Sequence, residues 1–190
     1  MSTRVFVTVG TDHHPFTRLI EWVDHWADTR MDLDLVVQHG TARPARHGVN
    51  HELLGAADVA EQYAAADLVI SQVGPGTIAD ANRAGHRPFV VPRDPALGEV
   101  VDDHQVAFGD FMAARGRCVS VRTRDHLIAE LESWMCASQH PPLPPGALPS
   151  TTSSALATLS RSVVEAPPRR FSARRLLTVV RPARAADAAL

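Results

Sequence analysis

Residues 68–77 read Leu-Val-Ile-Ser-Gln-Val-Gly-Pro-Gly-Thr, and this stretch indicates how the chain folds. Its apolar start is short and rich in β-branched side chains, which is typical of a buried strand. Gly74 and Gly76 then mark a loop in which the backbone can approach a ligand closely. Thr77 opens a short helix, and Gly85 closes it at a C′-like position. The stretch therefore predicts a strand, a loop and a helix in succession.

The same alternation continues on both sides of this unit. The predicted strands cover residues 5–9, 33–38, 68–71, 89–92 and 119–121. Predicted helices cover residues 16–26, 59–66, 77–84 and 127–135, and a further helix follows Asp103 as its N-cap. Residues 40–51 are rich in Gly, Pro, Arg and His and are interpreted as a loop. Short apolar strands between amphipathic helices predict an α/β fold, with a Rossmann-like parallel sheet and helices on both faces.

Composition divides the chain into a domain at residues 1–139 and a tail at residues 140–190. The domain carries 12 arginines against 19 acidic residues, whereas the tail carries 7 arginines against 2 acidic residues. An acidic domain argues against a nucleic-acid-binding surface. Five prolines at residues 141–149 favour a linker, followed by a mostly disordered tail. Within the tail, the basic residues 171–180 are a candidate for peripheral contact with a membrane or a partner.

Cysteine usage and hydropathy together predict a cytoplasmic protein. Cys118 and Cys136 lack metal-ligand spacing and are too few for a disulfide framework, which favours a reducing compartment. No charged and apolar leader precedes the first predicted strand, which argues against a signal peptide. No stretch approaches about 18 consecutive apolar residues, so we expect no membrane-spanning helix.

Two loops that follow predicted strands are the first candidates for a binding site, because doubly wound sheets bind ligands beyond the carboxyl ends of their strands. In the first loop, Gly10 and Thr11 precede a helix, where backbone N–H groups can bind a phosphate. An ordinary tight turn explains these two residues as well. In the second loop, Gly74, Pro75, Gly76 and Thr77 lead into a helix whose N-terminus attracts anions through its dipole. This spacing differs from the GxGxxG dinucleotide pattern.

Polar side chains complete the candidate site. Asp80 lies one turn into the helix after the second loop, where a carboxylate can accept hydrogen bonds from a ribose diol; the alternative is an acidic residue that only compensates the helix dipole. A third loop carries Glu99 and ends in His104 and Gln105, which can bond a phosphate, a ribose or a sugar hydroxyl. The alternative for His104 is a helix-terminal histidine without a ligand. Together the three loops predict a nucleotide-sugar pocket.

Four segments resemble a known family. Residues 5–11 (VFVTVGT) are similar to the start of the soluble subunit of the two-part UDP-GlcNAc transferase of dolichol-linked oligosaccharide synthesis, and of its bacterial exopolysaccharide homologues. Residues 70–78 (ISQVGPGTI) resemble the pattern I-S-H-A-G-A-G-T/S-I. Residues 88–93 (PFVVPR) and 98–105 (GEVVDDHQ) resemble P-x-I-V-V-P-R and G-E-H-x-D-x-H-Q. These motifs belong to the C-terminal half of glycosyltransferase family 28, and the resemblance covers residues 4–137.

The resemblance implies one half of a GT-B fold and a hexosyltransferase with a UDP-sugar as donor and no cofactor. Residues 74–77 would contact the diphosphate or the sugar. Asp80 stands where the family usually has the ribose-binding Glu, and His104 and Gln105 match its pair near the donor sugar. The implied partner is a membrane-anchored subunit that binds a polyprenyl-linked acceptor and recruits this chain to the inner face of the cell membrane.

The expected reaction is an inverting transfer, in which the acceptor hydroxyl attacks the anomeric carbon and UDP leaves. Helix N-termini would stabilise the charge that develops on the departing phosphate, so no metal is expected. His13 and His14 are candidates for the general base. Alternatively, the acceptor half provides this base. Gln72 and Val100 stand where the family has histidines. These departures leave open a non-catalytic module that binds a nucleotide sugar or only a partner.

Overall fold

The computed structural model describes residues 2–137, 140 and 143, which belong to the first of two compact units, Met1–Thr152. The strands are β1 (Thr3–Thr8), β2 (Leu33–Gln38), β3 (Val49–His51), β4 (Leu68–Gln72), β5 (Phe89–Val91) and β6 (Val119–Ser120). The helices are α1 (Thr17–Ala27), α2 (Ala56–Ala65), α3 (Pro75–Arg83), α4 (His104–Ala113) and α5 (Arg124–Cys136), with a 3-10 turn at Pro95–Leu97. Apart from residues 140 and 143, the predicted tail lies outside the described residues.

The strands form one sheet in the order β3-β2-β1-β4-β5-β6, and every neighbouring pair is parallel. The central strands are nearly continuous apolar runs because helices cover both faces of the sheet. This architecture confirms the predicted Rossmann-like α/β fold.

The strand order reverses between β1 and β4, which lie side by side. After β1 the chain moves outward to β2 and β3, and it then returns to β4 and moves outward on the other side. The helices that follow the two central strands cover opposite faces, since Ile20 of α1 and Ile78 of α3 belong to separate core clusters. The loops after β1 and β4 therefore diverge and open a crevice at the carboxyl edge of the sheet.

Alternate residues of each strand pack on opposite faces. Val5 and Val7 of β1 belong to the larger core cluster, which also holds Trp26 of α1. Phe6 of the same strand packs on the other face against Tyr63 of α2, with ring centroids 5.1 Å apart. Complete burial of an apolar side chain of this size contributes about 1.5–3 kcal/mol, so the two faces together fix the register of β1.

The prediction of a loop over residues 40–51 is wrong at its end, because Val49–His51 forms β3 beside β2. The side chain of Asn50 accepts the N–H of Ala45 at 2.8 Å and donates to the Ala45 carbonyl at 3.0 Å. Backbone pairing and a polar side chain thus fix this edge strand, and neither produces an apolar pattern in the sequence.

Helix α3 begins at Pro75 and not, as predicted, at Thr77. Gly74 has the extended backbone of an N-cap, and Pro75 occupies the first helical position, where a missing N–H leaves no bond unmade. The earlier start places Thr77 inside the first turn and Asp80 in the second.

The helices of the described part of the chain are short. The longest, α5, has 13 residues, whereas a membrane span needs about 20. None of the helices within residues 2–137 is long and apolar enough to cross a membrane.

Candidate functional site

A buried glutamine holds the first loop at the carboxyl end of β1. Gln38 of β2 donates to the hydroxyl of Thr8 at 3.1 Å and to the carbonyl of Gly10 at 3.2 Å. The Thr8 hydroxyl also accepts the N–H of Gly10 at 3.1 Å. Gly10 has φ +78°, a conformation that residues with a side chain rarely adopt. The loop is thus fixed up to Gly10, and Thr11 beyond it is exposed.

The first loop continues into a compact group formed by Asp12, His13 and His14. The carboxylate of Asp12 accepts the backbone N–H of His14 at 2.8 Å and lies 2.7 Å from Nδ1 of the same residue. The two imidazole rings lie against each other, with centroids 3.9 Å apart. Burial alone raises the pKa of the Asp12 carboxyl. Hydrogen bonds from His14 lower this pKa by more than burial raises it, so it lies below its ordinary value. Asp12 is therefore an anion at neutral pH.

The second loop ends at the N-terminus of α3. The N–H groups of a first helical turn have no partner within the helix, so their partial positive charge is available to an anion. The Thr77 hydroxyl in this turn accepts a hydrogen bond from the Gln72 amide at 3.1 Å. A Cβ built on Gly76 meets no atom within 4 Å. The space beside Gly76 is therefore open. Packing within the protein does not require a glycine at this position.

Gln72 fills the gap between the first and second loops. Its Nε2 lies 2.2 Å from a Cβ built on Gly10 and 2.7 Å from one built on Gly74, so both glycines make room for this amide. Its Oε1 is buried and has no hydrogen-bond partner among the described residues. An unpaired buried oxygen costs about 1–3 kcal/mol. Packing and the one hydrogen bond to Thr77 must offset this cost and hold the side chain in place.

Glu99 of the third loop is engaged within the protein. Its carboxylate accepts two hydrogen bonds from the Arg18 guanidinium, at 2.9 and 2.7 Å, and the N–H of Asp94 at 2.8 Å. Only 4% of Glu99 is exposed. The side chain therefore shapes the segment between β5 and α4, and its contact with a ligand stays a prediction.

The two predicted site residues that begin α4 lie in different surroundings. His104 is exposed and pairs with Asp102. Gln105 is buried, and its side-chain oxygen accepts the N–H of Arg93 at 3.1 Å. Asp103 is the N-cap residue, as predicted, without a side-chain capping bond. Of the predicted pair, His104 is the side chain that is open to solvent.

Arg93 connects the first loop to the third. Although it is charged, only 1% of it is exposed. Its guanidinium donates to the carbonyls of Val9, His14 and Glu99, at 2.8, 2.7 and 2.9 Å. It also lies 4.7 Å from the centre of the Phe16 ring. One side chain thus fixes the backbone of both loops.

The buried charge of Arg93 also affects the electrostatics of this edge. Burial lowers the pKa of Arg93, and the charges of Asp12 and Glu99 partly offset that effect. Arginine stays protonated despite such a shift because its ordinary pKa is so high. Arg93 forms no ion pair within the part of the chain that the structure describes, and its Nε has no hydrogen-bond partner there. Arg18 neutralises Glu99, and the charge of Arg93 is balanced at longer range by Asp12 of the first loop.

Asp80 lies farther along α3 than the second loop. It is exposed and pairs with Arg83, one turn away on the same helix. Burial raises the pKa of the Tyr63 hydroxyl, and the charge of Asp80 raises it further. Asp80 is therefore near α2, and its carboxylate is engaged by Arg83.

The crevice at the strand-order reversal gathers the first two loops, and Arg93 attaches the third to them. β1 and β4 end side by side, with Thr8 opposite Ser71. The edge holds these predicted residues: Gly10, Thr11, His13, His14, Gly74, Pro75, Gly76, Thr77, Glu99, His104 and Gln105. Asp80 lies one turn beyond them.

Four side chains that shape the site were not assigned from the sequence: Arg18, Gln38, Gln72 and Arg93. Gln38 and Gln72 are each the last residue of a strand. An amide side chain at the end of an otherwise apolar strand was the sequence feature that could have indicated their role. Arg93 stands in a recognised motif, but the motif does not indicate that it is buried. Arg18 is 81 residues from its partner Glu99, and no local pattern indicates that contact.

A cavity of about 420 Å³ lies at the opposite edge of the sheet. Leu68, Phe89 and Val119 line it at the beginnings of β4, β5 and β6, together with Trp134 of α5. This cavity lies at the amino ends of the strands and is separate from the candidate site. Doubly wound sheets bind ligands at the carboxyl ends instead.

The fold and the loops at its carboxyl edge define a Rossmann-like domain of the kind that forms one half of a GT-B glycosyltransferase. The model of the glycosyltransferase family 28 C-terminal domain matches residues 4–143, and the chain belongs to this family.

Similar curated proteins share part of this domain. They include the UDP-N-acetylglucosamine–N-acetylmuramyl-(pentapeptide) pyrophosphoryl-undecaprenol N-acetylglucosamine transferases of Burkholderia thailandensis and Burkholderia mallei. Each is 37% identical over 78 residues, which are 41% of this chain and 20% of the relative. The matched part of the chain thus spans about a fifth of the length of these relatives.

A solved structure, described as the glycotransferase of kitacinnamycin, has the same fold. It superposes with a TM-score of 0.54 at 20% identity, and the match covers 72% of this chain and 35% of that one.

Proposed function

We propose that the chain is the donor-binding half of an inverting glycosyltransferase, which moves a hexose-type sugar from a UDP-sugar to a polyprenyl-linked acceptor. Family membership supports a role in glycosyl transfer. The Burkholderia relatives bear names that specify UDP-N-acetylglucosamine and an undecaprenol-linked acceptor, which supports this class of substrates. The product would serve polysaccharide or glycolipid synthesis at the cytoplasmic face of the membrane.

The N-terminus of α3 at the strand-order reversal is the observation that carries this proposal. Gly76 lies there beside open space, although no contact within the protein demands a glycine. The buried guanidinium of Arg93 fixes the adjacent loop through the carbonyl of His14. A diphosphate has the charge and the size that suit such a place.

In the proposed reaction, an acceptor hydroxyl attacks the anomeric carbon of the sugar, and the bond to the diphosphate breaks. Negative charge then builds on the departing UDP. The N–H groups of residues 76 and 77 are fixed in the first turn of α3, so they stabilise this charge without reorganising. Asp80 would bind the ribose, and His104 would bind a sugar hydroxyl. The general base stays open, with His13 and His14 as the candidates from this chain.

A second protein would supply the acceptor half. The described residues form a single sheet, whereas a GT-B site lies between two such domains. The proposed partner is anchored in the membrane and binds the lipid-linked acceptor.

Calorimetric titration with UDP tests the proposal on the full chain. Wild type should bind, and Asp80→Ala should bind at least about tenfold more weakly, since hydrogen bonds to a charged group contribute about 1.5–3 kcal/mol. Asp110→Ala is the matched control, because Asp110 is also exposed and paired with an arginine, Arg122. Absence of UDP binding by wild type would contradict the proposal. Binding without sugar transfer, even with an acceptor-binding partner, would favour the non-catalytic module.

A further inference from the structure

The first loop concentrates metal-binding atoms. Among the described residues, Asp12, His13 and His14 offer a carboxylate oxygen and two imidazole nitrogens that all lie within 4.8 Å of one another. Nδ1 of His14 lies 2.7 Å, and Nδ1 of His13 3.7 Å, from the same oxygen of Asp12. Ligand atoms about 2.0–2.2 Å from a tetrahedral zinc ion lie roughly 3.3–3.6 Å apart. The 3.7 Å separation is close to this spacing, whereas the 2.7 Å hydrogen bond between Asp12 and His14 must lengthen when an ion binds.

Neighbouring segments hold the backbone of both histidines. The Thr41 hydroxyl donates to the carbonyl of His13 at 2.9 Å. Arg93 donates to the carbonyl of His14 at 2.7 Å. Side chains of consecutive residues often diverge, yet these two rings lie with centroids 3.9 Å apart. The backbone of both histidines and the His14 ring are therefore held in place, and the exposed His13 ring lies beside the His14 ring.

We propose that Asp12, His13 and His14 bind a divalent transition-metal ion of the Zn²⁺ class. Neutral imidazole nitrogens and carboxylate oxygens are ligands that zinc prefers. On binding, the ion replaces the hydrogen bond between the Asp12 carboxylate and the His14 ring. Three protein ligands leave a coordination position for water or another ligand, as in zinc sites that handle substrates.

This inference is independent of the proposed function. Asp12, His13 and His14 are consecutive, a spacing that differs from HExxH and from motifs of spaced Cys and His residues. Metal coordination occupies the imidazole lone pair that a general base needs, so one ring nitrogen cannot serve both roles at once. An ion at this place would lie on the same edge of the sheet as the second loop.

Titration of the full chain, prepared without a histidine tag, with ZnCl₂ tests the proposal, and the absorption spectrum of the Co²⁺ form reports the coordination. His13→Ala is suitable because this side chain is 85% exposed and its removal leaves the core intact. His47→Ala is the matched control, since His47 is an exposed histidine paired with a single carboxylate, Asp28, at 2.8 Å.

Wild type and His47→Ala should bind one Zn²⁺ per chain with equal affinity. His13→Ala and Asp12→Asn should bind at least about tenfold more weakly and lose the Co²⁺ absorption of the wild type. Failure of wild type to bind Zn²⁺ would overturn the proposal. Equal affinity of wild type and His13→Ala would overturn it as well, because the ion would then lie elsewhere.

Discussion

At the scale of single residues, the glycines of the crevice are present for different physical reasons. Gly10 is required by the protein, because it has φ +78° and the Gln72 amide occupies the space of its missing side chain. Gly76 has no such neighbour. Gly76 is exposed in the first turn of α3, where a glycine lowers helix stability. Under the proposed function, its missing side chain leaves room for the diphosphate.

Substitution of Gly76 by alanine separates binding from folding. Gly76→Ala should leave the free energy of unfolding unchanged or raise it by up to about 1 kcal/mol, because alanine favours the helix. The same variant should bind UDP about tenfold more weakly, since the new methyl group occupies the space of the diphosphate. Urea unfolding and calorimetry measure the two effects.

Gly10→Ala provides the contrasting variant. It should lower the free energy of unfolding by about 1–2 kcal/mol or more, owing to the left-handed backbone and the clash with Gln72. If Gly76→Ala also unfolds more easily, or if it binds UDP like wild type, the open space beside Gly76 is not a ligand site.

Arg93 is expected to matter for stability as well as for binding. Arg93→Met removes three hydrogen bonds to buried carbonyls and should lower the free energy of unfolding by about 3 kcal/mol. Arg115→Met is the control, because Arg115 is exposed just beyond the C-terminus of α4, and its effect should stay within about 0.5 kcal/mol. Similar urea midpoints for the two variants would show that Arg93 does not hold the loops together.

At the scale of elements, ion pairs attach the segment before β3 to α1. Asp24 is fully buried and accepts the N–H of Arg46 at 2.8 Å and a guanidinium bond from Arg43 at 2.9 Å. Asp28 at the end of α1 accepts from Arg46 at 2.7 Å and lies 2.8 Å from the His47 ring. The position of β3 therefore depends on charges that no strand pattern reveals.

Acid should release part of this attachment. Hydrogen bonds from His47, and then from Arg46, hold the pKa of Asp28 below its ordinary value of 3.8. Folding thus favours the ionised carboxylate, so its contribution is present at neutral pH and is lost as the pH falls through the lowered pKa. Protection factors of the amides of residues 46–47, which correct the exchange rates for their intrinsic pH dependence, should fall over that range in wild type. Asp28→Asn should already exchange faster at neutral pH and respond less to acid, and equal profiles for both would contradict the assignment.

The sequence predicted the elements that are specified by local patterns. The spacing of apolar residues alone predicts β1, β2, β4, β5 and the buried face of α1. β3 was missed because Val49–His51 is an edge strand held by pairing and by Asn50. The start of α3 was placed late, because Pro75 was assigned to the loop before the helix. Among the site residues, the burial of Arg93 and its contacts with three carbonyls depend on tertiary structure, which charge alone does not predict.

At the scale of the whole molecule, the two edges of the sheet offer different places for a nucleotide. The carboxyl edge offers three loops, the N-terminus of α3 and a buried cation, whereas the opposite edge offers a cavity of about 420 Å³. Family membership and the strand-order reversal both favour the carboxyl edge. The matched region is 20% of the length of the Burkholderia relatives.

Titration of the ¹⁵N-labelled full chain with UDP, followed by amide NMR shifts, locates the nucleotide on the sheet. We expect saturable shifts at residues 10–14, at Gly74, Gly76 and Thr77, and at His104, with little change around Trp134. Shifts confined to the cavity near Trp134, or no saturable shifts at any UDP concentration, would contradict the placement of the donor site at the carboxyl edge.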